Sequence, residues 1–158
     1  MLQLGYLMSL FFETEIDCKP PIIQIKNQIN YWRTAAQVWR SKPVQLYSKT
    51  FVDCNATTTV TRGWTAFLLN ERTGTVSKII DLSDLDSYSK SFLYVPAFYL
   101  KPGTYLFQFG LNMTSPYPHP VLPFYATGST YVKIVPSPII ARLTEGAQSR
   151  VIRGWGQR

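Results

Sequence analysis

Apolar and polar residues alternate along most of this chain, and the alternation has a period of two. Pro20-Pro21 opens the first run, in which Ile23 to Lys26 reads apolar-polar-apolar-polar, as a half-buried strand should. From Pro43 a second run places Val44, Leu46, Ser48, Thr50 and Val52 on one face and leads into Cys54. Gly63 to Leu69 forms a third strand, Asn70 to Gly74 a turn, and Thr75 to Leu82 a fourth strand. Ser83 to Ser91 is polar and reads as a loop, and Phe92 to Leu100 as a fifth strand. In the stretch after Lys101-Pro102-Gly103, Tyr105, Phe107 and Phe109 alternate with Leu106, Gln108 and Gly110, the plainest strand pattern in the chain. Phe124 to Pro136 closes the series, with Tyr131, Lys133 and Val135 on one face and Val132 and Ile134 on the other.

Between these runs lie two segments of a different kind. Tyr31 to Ser41 carries Trp32, Ala35, Ala36 and Trp39 at helical spacing, and a short helix or an irregular connection capped by tryptophans fits equally well. Met113 to Pro123 holds prolines at 116, 118, 120 and 123, which a central strand does not accept because proline has no N–H for the ladder. About seven short strands, separated by turn signals and without a long helix, predict an all-β chain. The expected architecture is an antiparallel β-sandwich of the immunoglobulin or fibronectin type III kind. The sandwich is expected over residues 18–138. Residues 1–17 read as the tail of a preceding segment or an atypical leader, and 139–158 as the first hairpin of a following domain, so the chain reads as a fragment of a longer ectodomain.

At 158 residues with a 46% apolar share, one domain with a sizeable core is expected. Sixteen Lys and Arg against nine Asp and Glu leave a net charge of +7, spread from Lys19 to Arg158 without a cluster. Nucleic-acid binders concentrate such charge on one face or helix, so no nucleic-acid partner is expected. A mildly basic surface suits acidic glycans or lipid headgroups.

The two cysteines, Cys18 and Cys54, lie near two N-glycosylation sequons, Asn55-Ala56-Thr57 and Asn112-Met113-Thr114. Together they indicate an oxidising compartment, with a Cys18–Cys54 disulfide and glycans on Asn55 and Asn112. The alternative is a pair of free thiols in a cytosolic protein. The longest apolar stretch, Leu4 to Phe12, is about half the length of a membrane span, and Glu13, Glu15 and Asp17 follow it. Any contact with a membrane is therefore expected through parts outside this chain.

Candidate chemistry is sparse. The single histidine, His119, sits between Pro118 and Pro120 and has no triad partner in its vicinity. One histidine and two distant cysteines do not make a zinc site, and no glycine-rich phosphate loop is present. Asp81, Asp84 and Asp86 alternate in a loop but lack the glycine and distal glutamate of a calcium loop. No catalytic residue, metal or cofactor is expected. Lys101-Pro102-Gly103-Thr104-Tyr105 has the local pattern of a tyrosine corner, a turn whose tyrosine packs inward and bonds back to backbone. Trp64, ten residues after Cys54, fits an inward aromatic near a disulfide, although the spacing is not that of an antibody domain.

Several short motifs in order resemble the receptor-for-egg-jelly module of the polycystin-one-like membrane proteins. They are Cys18-Lys19-Pro20-Pro21 with its Ile-rich strand, Cys54 followed by Gly63-Trp64-Thr65, Val95-Pro96-Ala97, and Leu100 to Tyr105. Ser137-Pro138-Ile139-Ile140-Ala141-Arg142-Leu143 and Arg150-Val151-Ile152 complete the set. Glu145-Gly146-Ala147 stands where the family has a Gly-Gly pair. The resemblance implies a non-catalytic ectodomain segment on the extracellular face of the plasma or ciliary membrane. Its implied role is ligand recognition, adhesion or calcium-linked signalling, with a polycystin-two-type cation channel as partner of the full-length protein. The alternative is a secreted or accessory carbohydrate-binding β-sandwich, in which exposed Trp32, Trp39 or Tyr117 stacks on sugars.

Overall fold

A computed structural model of the chain describes residues 18–54, 58–114 and 124–138. They form eight strands: β1 (Ile22–Ile25), β2 (Ala36–Trp39), β3 (Val44–Phe51), β4 (Thr59–Leu69), β5 (Val76–Ile80), β6 (Phe92–Val95), β7 (Gly103–Thr114) and β8 (Phe124–Val135). The strands make two sheets, one in the order β1-β3-β6 and one in the order β2-β8-β7-β4-β5. Their pairings are antiparallel except that of β2 with β8, which is parallel. Among the described residues no α-helix forms, and none is therefore long and apolar enough to cross a membrane.

The inward positions of both sheets meet in one core. β7 contributes Tyr105, Phe107 and Phe109, β4 Trp64 and Ala66, and β8 Val132 and Ile134. The short sheet supplies Ile25, Val44, Leu46, Leu93 and Val95, and the connections add Leu82 and Leu100. The rings of Trp64 and Phe109 lie 5.0 Å apart, and the indole N–H donates to the Lys90 carbonyl at 2.9 Å, so the one polar atom of this buried ring is satisfied. Leu82, Leu85 and Tyr88 belong to a tightly turned loop between β5 and β6. Its backbone runs beside β4, where the Trp64 N–H donates to the Tyr88 carbonyl at 2.7 Å.

Three expectations need correction. The segment with helical spacing is neither a helix nor an irregular link: it is a 3₁₀ turn at Trp32–Thr34 followed by β2. Ala36–Trp39 pairs in register with Val132–Val135, because β8 offers an edge whose N–H and C=O groups need partners. Four residues are too few for periodicity to identify such a strand, and the two tryptophans that mimic a helix stripe belong to different elements. β4 begins at Thr59 rather than Gly63. Its first four residues are exposed and offer a single inward apolar side chain, Val60, so it is their ladder with β7 that makes them a strand. β6 ends at Val95 rather than Leu100, because Pro96 has no N–H to extend the ladder.

After Pro96 the chain turns sharply. Phe98 adopts a φ of 66°, and its N–H donates to the Arg40 carbonyl at 2.8 Å. The Arg40 Nε–H in turn donates to the Leu100 carbonyl at 3.2 Å, fastening this turn to the segment after β2. At the start of β7 a polar cluster ties Thr104 to neighbouring elements. Glu71 Oε1 accepts from Thr104 Oγ1 at 3.1 Å and pairs with Lys133 Nζ at 3.2 Å, and the Lys133 bond first, then that of Thr104, lowers the Glu71 pKa.

Cys18 and Cys54 are joined in a disulfide. They form an isolated antiparallel bridge just beyond the Ile22–Phe51 pair, so the disulfide prolongs the β1–β3 ladder within one sheet. Trp64 packs on Phe109 in the other sheet. A disulfide is consistent with an extracellular or secreted location. Asn55, His119, Tyr117 and the segments 1–17 and 139–158 lie outside the described residues.

Candidate functional site

The alternation that buries Val44, Leu46 and Leu93 leaves the other face of the short sheet to solvent. On β3 the outward residues are Gln45, Tyr47, Lys49 and Phe51, on β6 Phe92 and Tyr94, and on β1 Ile22 and Gln24. Register places Tyr47 opposite Phe92, Gln45 opposite Tyr94, and Ile22 opposite Phe51. A row of aromatic side chains therefore crosses the sheet, and Tyr47, Phe51 and Tyr94 are each more than 40% exposed, so the row belongs to the surface rather than to the core margin.

The rings stand against one another. Tyr47 and Phe92 stack at 4.7 Å between centroids with an interplanar angle of 30°, and Phe92 meets Tyr94 at 6.5 Å and 48°. Lys26 Nζ lies 5.7 Å from the Tyr47 ring centre and Lys49 Nζ 4.7 Å from that of Phe51, within cation–π range. Ring edges and two ammonium groups are what this face presents. The three strands place no carboxylate outward, so its field is positive. The free edge of β6 is blunted by Ser87, whose Oγ accepts from the Tyr94 N–H at 2.9 Å and lies 3.2 Å from the Tyr94 carbonyl. Because β1 pairs only with Ser48–Phe51, a groove of about 290 Å³ opens beside the rest of β3, between Lys26 and Tyr47 on one side and Tyr131 on the other.

The outward positions of these three strands carry no His, Cys, Asp or Glu. Among the described residues no three His, Cys, Asp or Glu side chains gather where they could hold a metal ion. The acidic loop is occupied internally. Asp81 accepts from the Ser83 N–H at 2.9 Å, which lowers its pKa, and Asp84 accepts from the Tyr99 hydroxyl at 2.7 Å. Burial, reinforced by that bond, pushes the Tyr99 pKa up to about 12. An unfolded tyrosine titrates near about 10. The folded-state pKa is the higher one, so the stabilisation is complete below about pH 10 and is lost as pH rises toward about 12. We expect the melting temperature to fall from about pH 10 upward in thermal scans, and Tyr99→Phe to flatten that dependence. An equal alkaline fall in Tyr99→Phe would assign it elsewhere.

Trp64 and Tyr105 are buried on the inward faces of β4 and β7, Gly103 is half-buried at the start of β7 and Pro102 is exposed in the turn before it, all away from the aromatic row. Asn112 is exposed on the outward face of β7. Trp39 is exposed at the edge of the long sheet, while Trp32 is half-buried against Gly74, so the two do not form one surface. Sequence reasoning misses the aromatic row, although a signal for it is present. In Val44–Phe51 the residues Tyr47 and Phe51 fall on the face opposite Val44 and Leu46, so this strand is apolar on both sides.

No protein-family model, no curated protein and no solved structure matches this chain.

Proposed function

We propose that the chain is a non-catalytic recognition segment of an extracellular protein, and that the aromatic row of the short sheet binds an acidic protein surface. The row carries this reading: apolar ring edges, Lys26 and Lys49 at their flanks, and no carboxylate among the outward residues of three strands. Aromatic residues are enriched at protein interfaces because they bury large area at little entropic cost, and flanking lysines add charge complementarity to an acidic partner. An immunoglobulin-like sandwich is the fold within this reading. It is supported by the strand order, by early strands divided between two sheets, by the buried Trp64 and by the Tyr105 corner. The disulfide departs from that pattern, lying within one sheet. The polycystin-like receptor is the setting that the ordered motifs support, and in it the row would serve adhesion or docking of a neighbouring ectodomain.

The carbohydrate-binding alternative requires an aromatic face open to a sugar ring. In the row those faces are taken, Tyr47 by Phe92 and Lys26, and Phe51 by Lys49. The test is an array of acidic, neutral and basic peptides printed beside neutral and acidic oligosaccharides. Binding confined to acidic peptides is expected, weakened roughly tenfold or more by Tyr47→Ala or Phe92→Ala and by Lys26→Glu with Lys49→Glu. Binding to sugars alone, or to nothing, would remove the proposal.

A further inference from the structure

The second broad face of the molecule, the outward side of the long sheet, differs in kind. Along its middle it presents Thr61 and Gly63 from β4, Gly110 and Asn112 from β7, and Thr127 from β8, all short. Asn112 is exposed, and so is Thr114, two residues on, which completes the sequon. Directly across the ladder from Asn112 stands Tyr125, the most exposed large hydrophobic of the described residues at 68%.

The direction of the Tyr125 ring matters more than its exposure. It starts opposite Asn112 and ends over Gly110, where a Cβ would meet its hydroxyl at 3.2 Å and its ring carbons at 3.7 and 3.8 Å. The ring therefore leans over β7 from its place opposite Asn112 and lies with its tip on Gly110, the neighbouring outward position of that strand. A side chain at position 110 would crowd it out of that place. An exposed tyrosine held beside a sequon asparagine is a platform for the apolar face of a pyranose.

We infer that Asn112 is an N-glycan site whose innermost sugar packs on Tyr125, so that the glycan covers the long sheet and leaves the aromatic row as the docking face. This rests on the extracellular reading above. A glycan at Asn112 would then be directional, shielding the outward side of the long sheet.

The experiment is a comparison of melting temperatures for the chain secreted from a eukaryotic host. Site mapping should find Asn112 occupied. Asn112→Gln should lower the melting temperature by on the order of 2–4 °C, the shift expected from a modest contact in a chain of this size. In a Tyr125→Ala background, Asn112→Gln should no longer change the melting temperature, and in a Tyr125→Phe background it should lower it as before. Trimming the glycan to its innermost sugar should keep the stabilisation. In unglycosylated protein carrying the disulfide, Asn112→Gln should leave the melting temperature unchanged. An unoccupied Asn112 in the secreted, folded chain overturns the inference. An occupied Asn112 whose stabilising effect survives Tyr125→Ala also overturns it, while leaving the extracellular reading and its peptide-array test intact.

Discussion

Tyr105→Ala is expected to unfold or insolubilise the domain, while Tyr105→Phe stays folded and loses on the order of 1 kcal/mol. The side chain is 2% exposed, packs beside Phe107 with ring centroids 6.3 Å apart, and sits between Leu68 of β4 and Val132 of β8 in the ladder. Its hydroxyl donates to the Lys101 carbonyl at 2.9 Å, closing the turn through Pro102 and Gly103. Gly103 has a φ of 152°, and a Cβ there would lie 2.9 Å from Leu68 Cδ1, so a larger residue is strained by the backbone and must push the Leu68 side chain aside. Truncating a buried aromatic ring costs about 3–5 kcal/mol. Against a total stability of about 5–15 kcal/mol, that removes a large part of the margin. Denaturant midpoints of the two variants separate the ring's contribution from the hydroxyl's. A Tyr105→Ala protein with near-native stability would mean that the ring does not anchor the corner.

The second large effect is expected on removing the disulfide. Cys18→Ser with Cys54→Ser deletes a cross-link between residues 36 apart in sequence. Restricting such a loop in the unfolded chain contributes up to roughly 4 kcal/mol in the entropic account, and often less. Besides the bridge, this end of the strand pair has the Lys19 N–H bond to the Asp53 carbonyl at 2.9 Å and the Lys19–Asp53 ion pair, 2.7 Å long but exposed on both sides, which adds little. Loss of the disulfide should therefore fray β1 from β3 first, before the long sheet opens. Hydrogen exchange should show protection lost at Ile22–Ile25 while Phe107 and Phe109 stay protected. Peptide mapping under non-reducing conditions checks the bond itself, and two alkylatable thiols in the folded protein would remove this prediction.

The two substitutions probe features of different legibility. The corner is readable locally, because a proline, a glycine and a strand-initial tyrosine state their roles within one short stretch, Lys101 to Tyr105. The Cys18–Cys54 pairing is readable from cysteine number and company. Its placement is not. The expectation of Trp64 near a disulfide supposes one neighbourhood, whereas the bridge extends the β1–β3 ladder and the tryptophan serves the long sheet.

By itself the amino-acid order determined where most of the strands lie and which of their faces differ. Alternation at Phe107 and Phe109, punctuation by Pro43, and the turn at Asn70 to Gly74 are properties of neighbouring residues, so they can be read in one dimension. Only the tertiary structure decided what lies across from each strand. β2 exists because β8 has an open edge to satisfy, and its own four residues do not announce it. Tyr47 becomes part of an aromatic row because register sets it against Phe92, far along the chain. Tyr125 stands beside Asn112 for the same reason. Strand pairing is a long-range choice made by hydrogen-bond completion and core packing together, and local pattern carries no record of the partner.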